Sequence, residues 1–126
     1  MKTSELTDAA LDWAVAKAEE EHDVLFCQRQ YGRLLVRVAG DHETRDIEWS
    51  YTPSTNWSQG GPIIERIKGF LFKHWLESNR EGQCQAEIHN YDGDWIAFGQ
   101  TPLIAAMRCY VASKLGDDIN IPEELK

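Results

Sequence analysis

The segment from Thr101 to Gly116, TPLIAAMRCYVASKLG, carries the signals for both ends of a helix. Thr101 is predicted to be the N-cap, because its hydroxyl can accept a hydrogen bond from a first-turn amide. Pro102 suits the first helical position, where its missing N–H is not needed, and Gly116 is typical of the residue just past a helix end. Apolar residues at helical spacing are predicted to form the buried side: Ile104, Met107, Val111 and Leu115. Such a helix needs a second layer to cover it.

A second helix is predicted near the start of the chain, in SELTDAALDWAVAKAEEE. Thr7 is the expected N-cap, with a hydroxyl placed to accept from a first-turn amide. The predicted apolar stripe consists of Leu11, Ala14, Val15 and Ala18. Trp13 lies off this stripe, so either another segment covers it or it belongs to a subunit interface.

The chain between the two helices has the composition of β-strands. DVLFCQRQYGRLLVRVAG predicts a hairpin that turns near Tyr31 and Gly32. CQAEIHNYDGDWIAFGQ predicts another, with Asp92 and Gly93 in a type I′ turn. Residues 46–51, DIEWSY, alternate as a strand does, and residues 70–76, FLFKHWL, are interpreted as strand rather than short helix. The predicted fold is α+β: one domain over residues 1–126, with an antiparallel sheet built from hairpins and packed by an N-terminal and a C-terminal helix.

Charge and motif content exclude several classes of function. The net charge of -8 is concentrated at the ends, since residues 1–22 hold six acids and two bases and residues 115–126 hold four acids and one base. Without a basic stripe, direct binding of nucleic acid is not expected. The three cysteines form no CxxC pair, the four histidines are scattered, and GxSxG is absent, so no metal, no cofactor and no catalytic residue are predicted. No apolar run approaches a membrane span, which favours a cytoplasmic protein without membrane contact.

The stretch YTPSTNWSQGGP, residues 51–62, is uncharged, lacks periodicity and is interpreted as a loop between two strands. One hypothesis makes it a ligand cradle, because adjacent glycines expose backbone amides and aromatic rings can stack on a planar ligand. The residues predicted to bind the ligand are Tyr51, Ser54, Thr55, Asn56, Trp57, Gln59, Gly60 and Gly61, with Arg66 and Arg108 supplying charge. This set favours a small phosphorylated molecule such as a nucleotide. The alternative is a structural strap that Trp57 staples into the core. For Arg108 the alternative is a snorkelling surface residue or the partner of an acidic residue.

Three stretches of the chain resemble the NinX-like proteins of lambdoid bacteriophages: TSELTDAALDWAVAKAE, YTPSTNWSQGGPIIER and TPLIAAMRCYVASKLGDDINIPEEL. The resemblance implies a bacterial cytoplasmic setting and an accessory role in phage infection. It implies no established enzyme activity and assigns no functional residues.

Together with the loop, the resemblance favours a non-catalytic protein that binds a small molecule, one version being a sponge that sequesters a host defence signal. The alternative is a protein–protein interaction module that modulates a host or phage enzyme. Tryptophans in excess of what a small core needs suggest a homo-oligomer under either hypothesis.

Overall fold

A computed structural model describes residues 1–19, 51–67, 69–74 and 84–121, together with the backbone of residues 24–30 and 33–38. A short 3-10 helix, Thr3–Glu5, precedes the main elements. These are α1 (Asp8–Ala18), β1 (Val24–Gln30), β2 (Arg33–Val38), α2 (Trp57–Arg66), β3 (Phe70–His74), β4 (Cys84–Asn90), β5 (Gly93–Gly99) and α3 (Pro102–Leu115). The α+β class is confirmed, with the first and last helices flanking the sheet.

The strands form antiparallel pairs, as their sequences predict. Strands β1 and β2 make a hairpin, and β3, β4 and β5 make a sheet in that order. The interpretation of residues 70–74 as strand is confirmed. The predicted turn at Tyr31 and Gly32, residues 46–50 of the strand predicted over residues 46–51, and residues 75 and 76 lie outside the described residues. Tyr51, the last residue of that predicted strand, is described and is not in a strand.

Helix α3 lies at the centre of the described structure. Its predicted ends are confirmed: Thr101 Oγ1 accepts from the amide of Ile104 at 3.1 Å, Pro102 is the first helical residue, and Gly116 is the C-cap with φ 88°. Its buried side is wider than the predicted stripe. The buried residues are Leu103, Ala105, Ala106, Met107, Cys109, Tyr110 and Val111. Of the predicted stripe, Ile104 is half-buried and Leu115 is 38% exposed. The stripe widens because β4 and β5, α1 and α2 all pack against this helix.

Helix α1 buries the predicted stripe of Leu11, Ala14, Val15 and Ala18. Thr7 is its N-cap residue, but the Thr7 side chain accepts no capping hydrogen bond, so that detail of the prediction is wrong. Asp8, the first helical residue, has a φ of 48°, which departs from the regular first turn that a side-chain cap requires. Trp13 is half-buried, and the ammonium of Lys17 lies 5.4 Å from its ring centroid.

The turn between β4 and β5 differs from the predicted type I′ turn. Asn90 pairs with Gly93 in the register, so Tyr91 and Asp92 are the central residues, and neither has a positive φ. The side-chain oxygen of Asn90 accepts from the amide of Asp92 at 2.8 Å, which stabilises this alternative turn. Gly93 follows with φ 147°, a conformation that L side chains rarely adopt.

Helix α2 corrects the largest error of the sequence analysis, because residues 57–62 are helical rather than part of a loop. Asn56 begins the helix, with Oδ1 accepting from the amide of Ser58 at 3.0 Å. Two glycines and Pro62 make the intrinsic helix propensity poor, which is why the segment reads as a loop. Tertiary packing compensates for the poor propensity, because Ile63 is buried and Gly60 lets the helix backbone lie close to the carbonyl of Pro53 and the side chain of Leu103.

The adjacent glycines of α2 provide a matched pair of variants. A Cβ at Gly60 would overlap the carbonyl oxygen of Pro53 and lie 2.7 Å from Leu103 Cδ1, whereas a Cβ at Gly61 would lie 3.9 Å from Trp57. We expect Gly60→Ala to lower the free energy of unfolding by about 1–3 kcal/mol through overpacking. Gly61→Ala should raise it by about 0.5–1 kcal/mol through helix propensity. Urea denaturation measures both changes, and equal effects of the two substitutions would contradict this packing.

Candidate functional site

Residues 51–56, hereafter the strap, pack against α1 through a buried polar contact. The amide of Ser54 donates to Asp12 Oδ1 at 2.9 Å. Tyr51, Pro53 and Ser54 are buried, and among the described residues the Ser54 hydroxyl has no hydrogen-bond partner. Burial raises the pKa of Asp12 from 3.8 to about 6, and hydrogen bonding from Ser54 opposes this rise. These contacts are those of the structural alternative, in which the stretch fastens the fold.

The other predicted binding groups of the stretch also have internal partners or lie at the surface. Gln59 Oε1 accepts from the amide of Thr52 at 2.6 Å, and the amide of Gly60 donates to the carbonyl of Asn56 at 2.9 Å. The residues left at the surface are Thr55, Trp57 and, in part, Asn56, Gln59 and Gly61. Trp57 is 54% exposed, so the idea that it staples the stretch into the core is wrong.

Arg108 joins segments that are distant in sequence. Its Nε donates to the carbonyl of Leu6 at 2.8 Å, and Nη1 donates to the carbonyl of Phe98 at 2.7 Å. Burial lowers the pKa of this guanidinium from its ordinary value. The side chain is therefore held between the segment before α1 and the end of β5.

Arg66, at the end of α2, belongs to a cluster that connects three helices. Its Nη2 donates to the carboxylate of Glu19, which also accepts from the hydroxyl of Tyr110. The Glu19 side chain is only 8% exposed, and that of Arg66 is 42% exposed. The bond to Glu19 raises the pKa of Arg66. Burial first, and Glu19 second, raise the pKa of Tyr110 well above its usual range.

A cleft of about 300 Å³ opens beside this cluster. Its polar lining consists of Arg66, Asn90, Asp92, Ser113 and Lys114. Its apolar and aromatic lining consists of Ile67, Ile88, Trp95 and Tyr110. Of the residues predicted to bind a ligand, Arg66 lies here, and the other nine are not part of the lining. The remaining lining residues are Ile67, directly after α2, and residues of the β4–β5 hairpin and of the C-terminal half of α3, which only the fold brings together.

The cleft combines cationic donors with an aromatic surface. Arg66 uses Nη2 for Glu19 and Tyr110, so within the described part of the chain its Nε and Nη1 donate to no protein group. Lys114, in the last turn of α3, has no ion-pair partner among the described residues. Trp95 is half-buried, and its six-membered ring lies close to Gly93, where a Cβ would stand 3.3 Å from Cη2. These groups can hold an anion beside a planar ring.

A separate polar cluster lies on the face of the sheet that points away from α3. His89 Nδ1 is 2.8 Å from Asp94 Oδ1, and Nε2 is 3.5 Å from Glu87 Oε2. The hydrogen bond to Asp94 raises the pKa of His89. Across the ranges that the structure describes, no three His, Cys, Asp or Glu side chains form a group that could hold a metal ion. None of the helices described is long and apolar enough to cross a bilayer.

Comparison with known proteins supports the resemblance seen in the sequence. A family model described as bacteriophage P22, NinX matches residues 2–114. The matched region includes α1, α2, all of the strands and every residue that lines the cleft. No curated protein matches the chain.

The buried Asp12 carboxyl makes a prediction about pH. Because folding raises its pKa, the folded state binds the proton more tightly, and the stabilisation is complete below about pH 3.8 and lost as the pH rises through about 6. From pH 7 to pH 4 the wild type should therefore gain about 2 kcal/mol of stability relative to Asp12→Asn, which cannot ionise. Chemical denaturation at both pH values measures this difference.

The exposed Asp8 on the same helix provides the control for this experiment. Asp8→Asn should keep most of the pH profile of the wild type, because burial is the largest cause of the raised pKa of Asp12 and the charge of Asp8 is the smallest. Parallel stability profiles for Asp12→Asn and the wild type would show that Asp12 titrates normally in the fold.

Proposed function

We propose, from the premise that the chain belongs to the NinX family of bacteriophage P22, that this phage accessory protein binds a small phosphorylated molecule in the cleft. The role is one of binding rather than catalysis. The ligand class is that of a nucleotide or a related phosphorylated compound, and the proposed setting is the cytoplasm of the bacterial host.

The observation that carries the proposal is the position of Arg66. One edge of its guanidinium is held by the buried carboxylate of Glu19, and the rest of the group lines the cleft. A guanidinium held in this way loses little conformational entropy when it binds a phosphate, and it presents a planar fork of donors. Lys114 adds a second cation from the adjacent end of α3.

The electrostatics of the cleft predict moderate affinity. Glu19 offsets much of the charge of Arg66, Asp92 brings a negative charge to the rim, and the C-terminal end of α3 disfavours anions. The binding free energy of an anion therefore comes from directed hydrogen bonds more than from the net charge of the cleft. Trp95 supplies apolar surface that a bare phosphate would not use, which favours a ligand with a ring.

A binding role also fits the two described thiols. Cys84 and Cys109 are buried, and burial raises the pKa of the Cys109 thiol to about 12. A thiol that stays protonated at neutral pH is a poor nucleophile. In a phage accessory protein, binding without turnover would remove a phosphorylated host metabolite from circulation. Sequestration of a host defence signal is the specific form of this role that we propose.

The second candidate function is a protein–protein interaction module, which a different surface favours. Leu71 and Ile96 face each other across Glu87 in the sheet register, and both are more than half exposed. Trp57 is also exposed at the start of α2. Exposed apolar and aromatic side chains are frequent at interfaces. A host or phage enzyme bound there, or a second copy of the chain, would leave the cleft free.

The binding of nucleoside 5′-monophosphates and of inorganic phosphate, measured by NMR titration, tests the first proposal. We expect a nucleoside monophosphate to shift the signals of Trp95 and Lys114. Lys114→Ala should weaken binding about tenfold, because it removes a charge-assisted hydrogen bond. Arg66→Lys should also weaken binding while keeping a cation beside Glu19.

The matched control for the lost charge is Lys17→Ala, on α1 and outside the cleft lining. It should bind as the wild type does. Absence of any shift with phosphorylated compounds would refute the proposal. Shifts confined to Leu71 and Ile96 on addition of a partner protein would instead support the interaction module.

A further inference from the structure

A tyrosine at the rim of the cleft makes no packing contact that hides it from solvent. Tyr91 is fully exposed at the tip of the β4–β5 turn. Its two neighbours in the chain, Asn90 and Asp92, both line the cleft. Tyr91 itself is not part of the lining. An aromatic ring gains free energy when it is buried, so a ligand that reached the turn would offer the Tyr91 ring a surface to cover.

The same turn places a second aromatic ring within the cleft. The register pairs Asn90 with Gly93, so the chain reverses over Tyr91 and Asp92 and returns to Trp95 two residues after Gly93. The far edge of the Trp95 ring reaches back towards the turn, since a Cβ at Gly93 would lie 3.3 Å from Cη2 and 3.4 Å from Cζ2. The backbone of Tyr91 and the distal edge of the Trp95 ring therefore lie at the same end of the cleft.

We propose that Tyr91 closes over a planar ring stacked on Trp95, so that the cleft recognises a phosphate compound through its ring as well as its anion. This inference rests on the proposed function and adds the mode and the size of recognition. The ring would lie at the turn, and the phosphate would lie towards Arg66 and Lys114. Asp92, next to Tyr91 in the turn, can accept hydrogen bonds from sugar hydroxyls.

The volume of the cleft sets the size of the ligand. At about 300 Å³ it lies at the lower limit for ligand pockets, which suits one nucleotide unit and not two. Asn90 can recognise the ring further. Its side-chain oxygen accepts from the amide of Asp92, and its amide N–H groups can donate to an acceptor on the edge of a ring.

The test compares three probes: adenosine 5′-monophosphate, ribose 5-phosphate and a cyclic dinucleotide. We expect the monophosphate to bind the wild type at least tenfold more tightly than ribose 5-phosphate, because stacking on aromatic side chains contributes substantially to binding of a base. The cyclic dinucleotide should bind more weakly than the monophosphate. Calorimetry at fixed salt concentration gives all three affinities.

Variants of the rim separate stacking from phosphate binding. Tyr91→Ala should lower the affinity for the monophosphate about fivefold or more and leave the affinity for ribose 5-phosphate unchanged. Tyr91→Phe should bind both compounds as the wild type does. The matched control is Ile96→Ala, which truncates a side chain of the same hairpin that is 53% exposed and lies on the face away from α3. An unchanged Tm for Tyr91→Ala would establish that the fold is intact.

The outcomes distinguish this inference from the proposed function. If Tyr91→Ala binds the monophosphate normally, or if ribose 5-phosphate binds the wild type equally well, the proposed stacking of the ring between Tyr91 and Trp95 is wrong. The proposal that the cleft binds phosphate would then still stand. Equal affinity for the cyclic dinucleotide would overturn the limit on size. If neither monophosphate nor ribose 5-phosphate binds the wild type, the proposed function and this inference both fail.

Discussion

The burial of α3 on several sides is the constraint on which the described structure depends. Its small residues, Ala105 and Ala106, are fully buried, and so are the larger Met107 and Tyr110. The sheet strands β4 and β5 pack on one side of the helix, and α1 and α2 pack on others. A helix covered in this way cannot shift without losing packing contacts with every neighbouring layer, because protein interiors are close-packed. The last turn of α3 is the part that emerges, and there it forms one wall of the cleft.

Polar contacts fix the layers around this helix in register. Arg108 reaches from α3 to the carbonyls of Leu6 and Phe98, which connects the segment before α1 with the end of β5. Tyr110 and Arg66 both donate to Glu19 at the end of α1. A buried carboxylate that loses its partners is costly, so these bonds specify one arrangement of the helices more than they add stability. Because Arg66 and Tyr110 also line the cleft, these bonds fix the positions of two of its lining residues.

The features that the sequence predicts well are those set by neighbouring residues. The ends of α3 follow from Thr101, Pro102 and Gly116, and the strand pairs follow from β-rich segments on either side of short turns. Helix α2 is not predicted from the sequence because the helix propensity of its glycines and proline is low, and the helix depends on tertiary packing instead. Asn56 was the available signal, as a good N-cap residue before the helix. The cleft escapes prediction almost entirely, since Trp95 and Lys114 meet Arg66 only after the chain has folded.

The uncharged stretch over residues 51–62 acquires an indirect role from this arrangement. The strap is fastened to α1 by Asp12, and Gly60 lets the start of α2 approach Leu103 of α3 closely. Those two contacts fix the position and direction of α2, and hence the place where its last residue, Arg66, emerges. Glu19 then holds one edge of the guanidinium. One glycine and several polar groups of the stretch predicted as a ligand cradle therefore have structural partners. One consequence of the fold that they help to build is that Arg66 lines a cleft about two turns of helix further along the chain.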